Sequence, residues 1–152
     1  MYIFDGAMGT MLQAAGLEEG YCPELFNIER PEVVKDIHAQ YLQHGSDVIT
    51  TNTFGACGLK LEDYDLQDRV REINIAAVKV AKEAIAENKP TARVAGSMGP
   101  TGRFLQPLGN MSFDSIYDTY REQAEALIEG GVDFIIIETI IDVQEMRAAL
   151  LA

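Results

Sequence analysis

Three polar stations in the 152-residue sequence have residue types that could carry chemistry: Asp5, the run Thr51-Asn52-Thr53, and Glu138. Each stands at the end of a β-rich run: Tyr2-Ile3-Phe4, Asp47 through Phe54, and Phe134-Ile135-Ile136-Ile137. An ionised carboxylate placed directly after such a run is costly to bury without a partner. A cationic ligand group, such as an amine, would supply one. Capping the next helix or pairing with a nearby arginine would occupy Glu138 without making a site there. Asp5 taken alone says less.

Other candidate chemistry is poorer. Gly96-Ser97-Met98-Gly99-Pro100-Thr101-Gly102 spaces its glycines by three and fits neither the dinucleotide fingerprint nor the P-loop. Asp5-Gly6-Ala7-Met8-Gly9-Thr10 fails both as well. These glycines read as turns, whose N–H groups can still hold a carboxylate. His38 and His44 stand six apart on one predicted helix and do not share a face. Cys22 and Cys57 lack paired-ligand spacing and read as structural thiols, Cys57 being the nearer to the presumed mouth. A Ser/His/Asp triad does not follow from two mid-helix histidines.

The elements that must position these residues alternate. Strand-like runs begin at 2, 47, 92 and 133. Between them, Pro31 opens a helix with Val33, Val34, Ile37, Tyr41 and Leu42 on one stripe. A second helix is predicted from Gln67 to Asn88, and a third from an N-cap at Ser112 to Gly130-Gly131. A fourth opens at Asp142, with Glu145 placed as in a capping box. The sum is four βα units over residues 1–152 with no linker. Two architectures fit: an open doubly wound sheet, or the N-terminal half of a (β/α)8 barrel, which in full needs about 250 residues. In both, the C-terminal strand ends gather Asp5, Asn52 and Glu138 at one mouth.

Composition bounds the partners. A hydrophobic share of 47% excludes general disorder. A net charge of −12, with no basic cluster, argues against nucleic acid and anionic membrane surfaces. No apolar run approaches the ~18 residues of a membrane span. Met1-Tyr2-Ile3-Phe4-Asp5-Gly6 lacks a basic leader region, so a cytoplasmic protein with unpaired cysteines is expected.

The segments Asp5 through Thr10, Asn27 through Pro31, Gly45-Ser46-Asp47, Thr51 through Ala56, Gly99 through Gly102, Pro107-Leu108-Gly109 and Ile137-Glu138-Thr139 with Asp142 occur in a familiar order. As a set they resemble the homocysteine S-methyltransferase family, in particular the homocysteine-binding module of cobalamin-dependent methionine synthases. The resemblance implies a TIM barrel. It implies that Asp5 and Glu138 flank the homocysteine amine, and that backbone at Gly6 and around Thr51, Asn52 and Thr53 receives its carboxylate. It also implies a zinc ion on three cysteine thiolates from later strands, which activates the homocysteine thiol for methyl transfer. Cobalamin and folate would sit on separate modules. The zinc cysteines have no counterpart here, so the chain reads as half of such a domain, partnered by a C-terminal half or a second copy and inactive alone. The competing readings are a non-catalytic binding or assembly half, and an unrelated open α/β domain.

Overall fold

The computed structural model describes all 152 residues. Its regular elements are α1 (Gly9–Ala14), α2 (Phe26–Glu29), α3 (Pro31–Gln43), β1 (Val48–Thr50), α4 (Gly58–Leu61), α5 (Val70–Asn88), β2 (Arg93–Met98), α6 (Phe113–Gly130), β3 (Phe134–Ile137) and α7 (Val143–Leu151). The three strands are parallel in the order β1-β2-β3. A doubly wound sheet needs a reversal of strand order, and none occurs here.

The first expected strand is reduced to one bridge, between Phe4 and Val48. Its ladder begins normally, with Val48 N–H donating to Ile3 O and Asp5 N–H to Val48 O. The next donor, Thr50 N–H, turns instead to the Asp5 carboxylate at 2.8 Å. A side chain has taken the place of the ladder carbonyl, so the strand ends as the site begins. The run expected from Asp47 to Phe54 is likewise strand only over Val48–Thr50. Thr51 N–H still donates to Ala95 O, but beyond it the carbonyls of Asn52 and Thr53 go to the side chains of Asn27 and Gln123.

Register assigns the two faces. Thr50, Ala95 and Phe134 are aligned, as are Ser97 and Ile136. Ile49, Val94 and Met98 face the other way and join Val78, Leu127 and Ala148 in the main core. Helices α3, α5, α6 and α7 pack in that sequence over this outward face. Gly96 lies beneath α6, where an added Cβ would stand 3.0 Å from Leu127. On the opposite face the Phe4 and Phe134 rings meet edge-on at 6.1 Å. Strand spacings of about 4.8 Å would hold their backbones roughly 14 Å apart on a flat sheet. The rings therefore lean together over the intervening strands, as a concave surface requires.

Two helix starts behave differently. Ser112 caps α6 by accepting from Ser115 N–H at 3.1 Å. Asp142 caps α7 through Gln144 N–H, but Glu145 does not complete the expected capping box. It is buried and accepts from Thr101 N–H, Thr101 Oγ1 and Tyr120 Oη at 2.8, 2.7 and 3.0 Å. Those three donors outcompete one backbone N–H at the helix start.

Candidate functional site

A cavity of about 510 Å3 opens at the C-terminal ends of the strands. Asp5, Gly6, Thr51, Asn52 and Glu138 line it, joined by Thr50, Ser97, Phe4, Phe54 and Ile136. Thr53 does not. It is fully buried, with its hydroxyl donating to Ser97 O at 2.7 Å and meeting the Thr51 hydroxyl at 2.7 Å.

The two carboxylates are held separately. Asp5 accepts from both Thr50 N–H and Thr50 Oγ1, the latter at 2.7 Å. Glu138 accepts from Ser97 Oγ at 2.6 Å. Neither forms an ion pair within the chain, whose salt bridges all lie elsewhere. Burial raises the Asp5 pKa above 3.8, against the lowering effect of the Thr50 hydrogen bonds, and Glu138 adds a smaller upward push. Two acids thus share one cavity with their hydrogen-bond donors supplied and no cation between them. A ligand cation would relieve that repulsion. Glu138 neither caps α7 nor meets an arginine.

Gly6 is fixed by close approach. An added Cβ would stand 2.9 Å from Tyr41 Oη, which donates to Ala7 O. Thr139, next to Glu138, has φ +63°, unusual for a β-branched residue. That left-handed step turns the chain at the end of β3 toward the start of α7.

Zinc does not fit the residues of this chain. No three His, Cys, Asp or Glu side chains converge. Cys22 donates to Glu24, and burial first, then that carboxylate, pushes its thiol up to about 12. Cys57 is fully buried and is pushed up to about 11, mainly by desolvation. Thiols so poised are protonated at neutral pH, whereas metal binding needs thiolates.

Several supporting residues had no place in the expected site. Ser97 ends the third strand, so the strand-end rule selects it too. Asn27, Asn74 and Gln123 are buried amides that hold the backbone beyond β1. Gln123 is detectable as a polar residue between Tyr120, Ala124 and Leu127 on an apolar stripe.

The model of the homocysteine S-methyltransferase family matches residues 2–152. The chain belongs to this family. It is similar to the methionine synthase of Mycobacterium tuberculosis (strain ATCC 25618 / H37Rv), with 41% identity across 97% of this chain and 13% of that protein. The methionine synthase of Mycobacterium leprae (strain TN) is 38% identical over the same shares. Among solved structures, it resembles the metallated form of the Escherichia coli homocysteine methyltransferase MmuM, with a TM-score of 0.81 and 26% identity, covering 97% of this chain and 57% of that one. The apo form of MmuM gives a TM-score of 0.72 at 27% identity. The chain therefore spans about an eighth of the curated relatives it matches. Family membership removes the reading as an unrelated α/β domain.

Proposed function

We propose that this chain is the homocysteine-binding portion of a homocysteine S-methyltransferase domain, forming four βα units of its barrel. One observation carries the reading: Asp5 and Glu138 face one cavity at the strand ends, each hydrogen-bonded and neither paired with a cation. The substrate ammonium takes the place between them. Its carboxylate meets free backbone N–H groups at Gly6 and beyond β1. The apolar wall of Phe4, Phe54 and Ile136 receives the methylene chain. This arrangement fixes both charged groups at the α-carbon and leaves the thiol as the free end, which accepts the methyl group to give methionine.

The similarity to a metallated methyltransferase and to methionine synthases supports a metal and a cobalamin-borne methyl group in the complete protein. Their ligands belong to further parts of the barrel and to other modules. On this reading the 152 residues alone bind substrate without transferring methyl groups. Calorimetry on the full-length protein tests the amine contact. Glu138→Gln keeps the shape of the side chain and removes its charge. Homocysteine affinity should fall by about 1.5–3 kcal/mol, the range for a hydrogen bond to a charged group. Unchanged affinity would remove Glu138 from the site.

A further inference from the structure

Over residues 51–56, the loop after β1 leaves two backbone donors unused. Thr51 N–H donates to Ala95 O, Thr53 N–H to Thr51 O, and Ala56 N–H to Thr53 O. Gly55 N–H donates to the buried Glu24 carboxylate at 2.7 Å. Between Thr51 and Ala56, the N–H groups of Asn52 and Phe54 alone find no acceptor in the chain. Both residues line the cavity.

The Thr53 carbonyl explains where the Phe54 donor points. Asn27 Nδ2 donates to Asn52 O at 2.8 Å, and Gln123 Nε2 to Thr53 O at 2.8 Å. A secondary contact of Gln123 reaches Ser97 O at 3.4 Å. The 53–54 peptide is trans, so its N–H is antiparallel to its C=O. Drawing Thr53 O down onto α6 therefore turns Phe54 N–H up, away from the helix layer. Gln123 is fully buried, yet its Oε1 has no partner, and Asn27 Oδ1 is likewise orphaned. Unpaired buried carbonyls of this kind are costly, so stability alone is a poor reason for an amide at either position.

We infer that Gln123 is a positioning residue that aims the Phe54 N–H group, beside the unused Asn52 N–H, at the carboxylate of the bound amino acid. It touches no substrate atom and acts through the backbone it holds. The inference rests on the homocysteine reading proposed above and adds a specificity device to it. An amine lacking the carboxylate gains nothing from the two donors.

The test compares homocysteine with 3-aminopropane-1-thiol, which is homocysteine without its carboxylate, on the full-length protein by calorimetry. Gln123→Met preserves length and removes the donor. Homocysteine should bind about tenfold or more weakly to the variant, the equivalent of losing one charged hydrogen bond. Binding of 3-aminopropane-1-thiol should be unchanged. Equal weakening of both ligands would mean that Gln123 merely supports the fold, and no weakening of either would remove it from recognition. A wild-type protein that binds neither ligand would overturn the homocysteine reading and this inference with it. Amide NMR on the unsubstituted protein decides the matter without a variant. The Phe54 and Asn52 amides should shift with homocysteine and not with 3-aminopropane-1-thiol, and identical shifts with both would refute the assignment.

Discussion

Asp5 is a carboxylate kept at a cost. Its pKa is raised by burial, so its ionised form is less favourable in the folded chain than in the unfolded one. For an acid with a raised folded pKa, that contribution to stability is most favourable below 3.8 and declines as pH rises through the elevated value. Ligand binding carries the opposite dependence, because an ammonium is attracted to the ionised form. Homocysteine affinity should fall as pH is lowered through the range just above 3.8, and a titration of affinity against pH would show it. An affinity flat across that range would detach Asp5 from the amine.

His38 behaves differently. It is fully buried, neither ring nitrogen has a partner, and desolvation lowers its pKa from 6.5 to about 4. The unfolded chain therefore binds a proton between those values that the folded chain refuses. Stability present above pH 6.5 should decline by roughly 3 kcal/mol as pH falls toward 4. His38→Leu should flatten that slope in urea melts recorded at several pH values. An unchanged slope would place the titration elsewhere.

At the scale of elements, the connection from β2 to α6 is held by a carboxylate from another helix. Glu145 on α7 satisfies Thr101 N–H and the hydroxyls of Thr101 and Tyr120, all buried. Glu145→Ala would strand those donors, and should lower unfolding free energy by about 3 kcal/mol. Ser112→Ala, which removes only the exposed cap of α6, should cost about 1 kcal/mol. The ordering of the two losses in denaturant melts is the measurement. Equal losses would show that the Glu145 cluster is no stronger than a helix cap.

At the scale of the molecule, the sheet has two open edges. One is the bridge at Phe4, and the other is β3, whose four residues are all half-exposed. Apolar side chains nearby are uncovered as well, with Phe4 41%, Ile141 84% and Val143 79% exposed. Unpaired edges and apolar patches promote association with another chain. The isolated 152-residue chain should self-associate, bind a C-terminal barrel half, or aggregate at micromolar concentration by light scattering. A cooperatively melting monomer would argue that the concave face is stable when open to water.

The alternation of apolar runs and amphipathic stripes by itself determined the order of the strands and the four long helices, and missed the short α1, α2 and α4. Local periodicity and cap residues are properties of neighbouring positions, as Ser112 and Gly131 show. The ordered segments from Asp5 to Asp142 also carried the family. Strand-end polarity brought Asp5, Asn52 and Glu138 into view, because parallel strands deliver their C-terminal ends to one side. Only the tertiary structure decided what those residues do for one another. Thr53 proved a buried brace rather than a lining residue, the first strand gave way to the Asp5 carboxylate, and Glu145 left its own helix start for Thr101. Each outcome is a competition for a hydrogen-bond partner more than twenty residues away. Sequence spacing cannot rank such partners, because their proximity exists only once the sheet and helices have packed.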